Sequence, residues 1–188
     1  MASGGDAPVI LTVSRNLLFH SKVALMGGKN TKFIADMMLG RLARWLRLYG
    51  YDTLYGIKDD EEILKIAREE GRIVLTRDEE LVTRCKNAIL IKSNKFEEQV
   101  KQLMELGFEF DELFPENARC PKCNGLIKRV EKEEIKGKVP EGVYKDYDEF
   151  YVCTQCGQIY WPGRQWREMV KIDRKLKSLA EENGSEQV

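Results

Sequence analysis

The chain carries a single histidine, His20, among 188 residues. Paired-histidine acid–base ribonuclease chemistry and histidine-rich metal sites cannot be assembled from one imidazole. Long hydrophobic runs are also missing. Arg15 and Lys22 interrupt the apolar stretch from Val9 to Met26, and no run approaches the roughly 18 apolar residues of a spanning helix. Nor is there a basic leader of the secretory kind. Charge of one sign is not in excess either: 31 basic and 31 acidic side chains give a formal net charge of +0. Neutrality excludes a wholly basic nucleic-acid coat, though not a local basic surface. These absences lead to the expectation of a cytoplasmic, reducing location and no membrane partner.

What is present describes a globular protein, with 43% hydrophobic and 33% charged residues. Residues 1–31 read as an N-terminal tail, either a disordered arm or a start-site extension for which Met26 would be the alternative start. From Lys32 the pattern becomes regular. Phe33-Ile34-Ala35 reads as a buried strand ending at Asp36, followed by a helix from Leu39 to Tyr49 closed by Gly50. Asp52–Tyr55 is a second strand, and a helix over about 61–70, capped by Asp59 or Asp60, ends at Gly71. Arg72–Thr76 is a third strand, and a short helix over 79–85 leads to a strand over 88–92. Asn94 and Glu97 have the spacing of a capping box for a helix running to Leu106.

Strands alternating with helices at this spacing imply right-handed βαβ crossovers and a mostly parallel central sheet in a three-layer α/β domain. Such sheets place their sites beyond the carboxyl ends of the strands. Asp36, Asp60 and Asp78 all fall on that edge. Three carboxylates on one rim suit a hard cation such as Mg²⁺ or Mn²⁺, which can activate water for phosphodiester hydrolysis without a histidine. Each acid also has an alternative as a helix cap. Asp52 begins its strand and is assigned to the opposite edge, away from the site.

The stretches FIADMMLGRLARWLRLYGYDTLYG and DDEEILKIAREEGRIVLTRDEEL resemble the PIN-like RNase domain named after the mut-seven C-terminal region, in which a zinc ribbon follows the RNase domain. The similarity covers about residues 32–166. It implies a PIN-type nuclease fold, metal-dependent RNA cleavage and an acidic site at Asp36, Asp60 and Asp78. PIN domains often add a fourth acid after the last core strand, where this chain has Ser93 and Asn94. Arg41, Arg44 and Arg47 ride the first helix as a solvated face. Arg41 and Arg44 are candidate grips for backbone phosphates, and Lys92 and Arg77, at the same rim, are weaker ones.

Four of the five cysteines form two Cys-x-x-Cys pairs, Cys120/Cys123 and Cys153/Cys156. In a reducing compartment this doubled spacing signals one closed Cys₄ zinc site of the ribbon type, structural rather than catalytic. Leu126–Val130 and Glu149–Val152 suit its strands, with a charged hairpin between them. Tyr144, Tyr147, Phe150, Tyr151, Tyr160, Trp161 and Trp166 crowd this module. Phe150 and Tyr160 fit its small core, and any aromatic ring left exposed is placed to stack on unpaired bases. After Pro162-Gly163 a helix begins, and Arg164 to Lys177 holds six basic residues against two acidic ones. Arg164 and Arg167 are candidate RNA contacts.

The expected organisation is therefore an RNase domain over 32–114, a zinc ribbon over 115–162, and a basic C-terminal helix and tail over 163–188. The leading functional expectation is a ribonuclease with catalytic Mg or Mn and one structural Zn. A ribosome-maturation endonuclease acting on an rRNA precursor would share that chemistry. A non-catalytic RNA- or ribosome-binding adaptor is the alternative of a different class.

Overall fold

A computed structural model describes Gly28 and residues 30–184, apart from residues 112 and 114, with side chains described to Ser178. The expected tail therefore lies almost wholly outside the described residues. The first four strands are β1 (Lys32–Ala35), β2 (Asp52–Tyr55), β3 (Ile73–Thr76) and β4 (Ala88–Leu90). All pair in parallel, in the order β2-β1-β3-β4. The crossovers carry helices α1 (Gly40–Leu48), α2 (Asp60–Glu70) and α3 (Glu79–Arg84), and α4 (Phe96–Glu105) follows β4.

The sheet divides the core by the two-residue period of its strands. Phe33, Ala35, Ile73 and Leu75 face one layer with Leu42, Trp45 and Leu46 of α1 and Val100 and Leu103 of α4. Ile34 and Val74 face the other layer with Ile63, Leu64 and Ala67 of α2 and Leu81 of α3. Both central strands are therefore nearly continuous apolar runs, as a sheet covered on both faces requires. The expected three-layer α/β architecture is what forms.

Helix α1 ends where the sequence places its stop. Gly50 takes φ +92°, the Gly50 N–H donates to the Arg47 carbonyl at 2.9 Å, and the Tyr51 N–H donates to the Leu46 carbonyl at 3.0 Å. That is a Schellman closure. A Cβ at this glycine would also lie 2.6 Å from the Asn117 carbonyl oxygen. The capping box at Asn94 does not form. Lys95 is the N-cap of α4 with no side-chain cap, and its N–H donates to Ser93 Oγ at 3.1 Å.

The second sheet is antiparallel: β5 (Ile127–Val130), β6 (Phe150–Cys153) and β7 (Ile159–Tyr160), in that order. The expected plain hairpin between β5 and β6 instead contains two short helices, α5 (Lys132–Ile135) and α6 (Glu141–Asp146). Glu131 and Glu134 cap α5 reciprocally, a signal hidden by the general charge of the segment. The last helix, α7 (Arg164–Gly184), folds back on the first domain. Leu176 joins the core beside α1 and α4, with Trp166, Met169 and Ile172 packed against it. Tyr49 Oη donates to Asp173 Oδ1 at 2.6 Å. The inner face of this basic helix is thus core, while Arg164, Arg167, Lys171, Arg174 and Lys175 stay exposed.

Candidate active site and metal centre

With the strand order β2-β1-β3-β4, the crossover direction reverses between β1 and β3, which is where such sheets leave a crevice at their carboxyl ends. Asp36 leaves β1 at that point. It is 8% exposed, and its backbone N–H donates to the Leu75 carbonyl at 3.0 Å. Its Oδ1 accepts from the Met38 N–H at 2.7 Å. Its Oδ2 accepts from the Arg77 N–H at 3.1 Å and from the Thr76 hydroxyl. Thr76 Oγ1 in turn accepts from the Asp78 N–H at 2.9 Å. One threonine at the end of β3 thereby ties Asp36 to the loop that carries Asp78. Thr76 escaped notice in the sequence; its only signal is a hydroxyl closing an otherwise apolar strand.

Asp78 caps α3, as the alternative reading held: Oδ1 accepts from the N–H groups of Glu80 at 2.8 Å and Leu81 at 3.3 Å. Its Oδ2 takes no hydrogen bond among the described residues. For α2 the capping residue is Asp59, which accepts from the Glu61 N–H at 2.9 Å. Asp60, the first helical residue, is exposed and its carboxylate makes no hydrogen bond or salt bridge among the described residues. The oxygens of Asp36, Asp60 and Asp78 do not all come within 4.8 Å of one another. Among the described residues, the four cysteines are the one set of three or more His, Cys, Asp or Glu that does.

Around this rim, Arg41 lies 4.1 Å over the Phe96 ring and 4.0 Å from Glu97. Arg44 is exposed, and its Nε donates to the Gly40 carbonyl at 3.3 Å. Lys92 is exposed, and its side chain has no hydrogen bond or salt bridge among the described residues; the same holds for Arg164 and Arg167 on α7. The buried Nε of Arg77 has no hydrogen-bond partner among the described residues. Met37 and Met38, beside Asp36, are 45% and 62% exposed.

Arg47 departs from the solvated face expected of it. It is 5% exposed, and its Nε donates to the Thr53 carbonyl at 2.8 Å and its Nη1 to the Pro121 carbonyl at 3.0 Å. Burial lowers its pKa, while the charges of Cys120, Cys123 and Asp52 act to raise it. Asp52, assigned to the far edge and set aside, turns out to anchor the second domain there. Its Oδ1 accepts from Arg72 and from Asn124 Nδ2, both at 2.8 Å, and Asn124 Oδ1 accepts the Thr53 N–H at 3.0 Å. The ribbon is thus bonded to edge strand β2. Arg47→Ala should cost about 2–4 kcal/mol, because buried carbonyls lose a charged donor; urea unfolding followed by circular dichroism measures it.

The same network sets an acid limit. Burial alone would raise the Asp52 carboxyl, but hydrogen bonds from Arg72 and Asn124 and the charges of Arg72 and Arg119 hold it below the usual value. A carboxyl depressed in the folded state adds stability above its unfolded pKa and loses it as pH falls through the folded one. Stability should therefore drop below about pH 4, and the drop should be shallower in Asp52→Asn, as urea midpoints taken across that range would read.

The cysteines meet at the junction of the two knuckles. Cys120 and Cys156 Sγ are 3.7 Å apart, and Cys123 and Cys153 Sγ are 3.4 Å apart. A tetrahedral ion with metal–sulfur bonds of about 2.3 Å needs sulfur–sulfur edges of about 3.8 Å, so the set is close to that shape. Asn124 and Gly157 both take φ 70°, turning each knuckle, and a Cβ on Gly125 would lie 2.9 Å from Cys153 Sγ. Burial opposes ionisation of Cys120, but hydrogen bonds from Tyr160 and from the backbone of Cys123 and Lys122 bring its pKa down to about 7. Burial, with hydrogen bonding among the thiols, pushes Cys123 the other way, up to about 12. The cluster is consistent with a zinc ribbon.

No curated protein and no solved structure matches the chain. The family model described as the Mut7-C RNAse domain matches residues 31–173, a span that runs from the start of β1, through the α/β domain and the cysteine module, into α7. The chain belongs to the Mut7-C RNAse domain family.

Proposed function

We propose that the chain is a metal-dependent ribonuclease that hydrolyses RNA phosphodiester bonds at the β1–β3 rim. The observation that carries this is the bonded series Asp36–Thr76–Asp78 at the sheet's switch point, in a chain of an RNase family. The donor set fits a hard cation. It offers oxygen only, with the Asp60 carboxylate and Asp78 Oδ2 uncommitted, which is the donor chemistry of Mg²⁺ or Mn²⁺. When bound, such an ion supplies an activated water and charge stabilisation for the leaving oxygen.

The chain's own groups do the positioning. Three donors fix the Asp36 carboxylate, so its remaining acceptor capacity points in one direction. Arg41, Arg44 and Lys92 hold backbone phosphates beside it, and Arg164 and Arg167 hold them along α7. Cys120, Cys123, Cys153 and Cys156 take one structural zinc, and the ribbon aids RNA binding. The reading extends to a cytoplasmic setting, where thiols stay reduced, and to a ribosomal RNA precursor as one class of substrate.

The adaptor reading is favoured by a different observation: the three acids do not draw together. Labelled RNA incubated with the purified protein and Mg²⁺ or Mn²⁺ separates the two. Divalent-dependent cleavage supports the nuclease, whereas retention of uncleaved RNA under every metal supports the adaptor. Elemental analysis should find about one zinc per chain.

A further inference from the structure

Between the ribbon and α7 lies a groove of about 640 Å³, which no catalytic role occupies. Its size is within the roughly 300–1,000 Å³ of small-ligand sites. Tyr147, Tyr160 and Trp161 of the ribbon side and Trp166 of α7 line it, and all four are only half-buried. By contrast Tyr151 is 3% exposed and donates through its hydroxyl to Glu116, and the Tyr160 hydroxyl is bonded to Cys120 Sγ, so these two rings are committed to the fold. The Trp161 indole is held in place against the backbone: a Cβ on Gly163 would lie 2.6 Å from its Nε1.

The polar lining decides what the aromatics are for. Arg164 and the amides of Gln158 and Gln165 stand in the same groove, opposed by one acid, Asp146. Arg167 lies one turn further along α7 and is exposed. Flat apolar faces, amides able to meet the edge of a base, and exposed guanidinium groups beside them match an unpaired nucleotide. An apolar peptide would leave the cations unmatched. We propose that this groove binds one or two unpaired bases of single-stranded RNA, stacked on Trp161 and Trp166, with Arg164 on the adjoining phosphate. This rests on the reading that RNA is the substrate, and it adds where an unpaired stretch is held away from the acidic rim.

Tryptophan fluorescence tests it in the full zinc-loaded chain without added divalent cation. Of the three tryptophans, Trp45 is 6% exposed in the core, so quenching reports on the groove. The probes are labelled oligo(U) and oligo(A) of roughly 12 nucleotides, a duplex of equal length, and a synthetic peptide of residues 9–26. Both single strands should quench saturably, and the duplex should not compete. Trp161→Leu and Gly163→Ala should each weaken binding roughly 5- to 100-fold and diminish the quench, while Lys171→Ala should leave both unchanged. Gly163→Ala needs no unusual backbone conformation, so it decides the matter if Trp161→Leu does not fold.

Strong RNA binding without quenching would overturn the proposal. So would wild-type affinity in both groove variants, or quenching by the peptide and not by RNA. A wild type that binds and quenches but never cleaves keeps the groove and removes the nuclease reading. Cleavage with unchanged KM in both groove variants does the reverse.

Discussion

Removing the zinc proposed for the cysteine centre is expected to lower the melting temperature of the α/β domain by roughly 10 °C or more, beyond the loss of the ribbon itself. A module this small, with Phe150 and Ile135 as its buried apolar side chains apart from Ala118, Tyr151 and two cysteines among the described residues, would depend on such an ion. Structural zinc sites contribute on the order of 10 kcal/mol of binding free energy to folding. The effect travels because the first knuckle is bonded to the other domain. If the knuckle opens, Arg47 keeps its Thr53 partner but loses the Pro121 carbonyl, and Asp52 and the Thr53 N–H both lose Asn124. The buried guanidinium then keeps one partner of its set, and Asp52 and the Thr53 N–H lose Asn124, at a cost of about 2–4 kcal/mol. Calorimetry with and without a chelator, and on Cys153→Ser, measures this. An unchanged transition for the α/β domain would mean that the two parts are stable independently.

The sequence made the framework readable because the framework rests on local rules. The runs at 33–35 and 73–75 are apolar at every position, and glycines 50, 71 and 107 close the helices where periodicity stops, so the parallel sheet and its layers follow from spacing. The cysteine pairs are equally local. What escaped was set by distant partners. Arg47 sits on the same helix as Arg41 and Arg44 and has the same side chain, yet it is buried because the Pro121 and Lys122 carbonyls arrive from 74 and 75 residues away. Asp52 looked irrelevant because it begins its strand, and that end of β2 is where Asn124 docks. Thr76 became legible only when Asp36 and Asp78 were placed on either side of it. The basic run of α7 showed in the sequence only as a row of charges, but Leu176 and Asp173 turn inward against a core more than a hundred residues earlier in the chain.

Conservative changes at the acidic rim should separate chemistry from folding. Asp60→Asn alters a carboxylate that bonds nothing in the fold, so its stability should stay within about 0.5 kcal/mol of wild type. Asp78→Asn keeps the helix cap, since asparagine caps nearly as well as aspartate. Asp36→Asn is harsher. Its amide can accept at one position only, so either the Met38 N–H or the Arg77 N–H loses its acceptor, at about 1–3 kcal/mol. If the three hold a catalytic cation, Asp36→Asn and Asp78→Asn should each lose roughly a thousandfold in cleavage rate, equivalent to several kcal/mol of transition-state stabilisation. Asp60→Asn should lose less, because it lies outside the Asp36–Thr76–Asp78 series. Thr76→Val preserves the strand and removes only the hydroxyl that orients both acids. It should therefore lower activity by about ten- to a hundredfold while shifting the divalent-ion requirement to higher concentration. Single-turnover cleavage across a Mn²⁺ titration, with unfolding curves for each variant, distinguishes these outcomes. Full activity in Asp36→Asn with an intact fold would move the chemistry elsewhere on the rim; loss confined to the unstable variants would reduce the acids to structural caps.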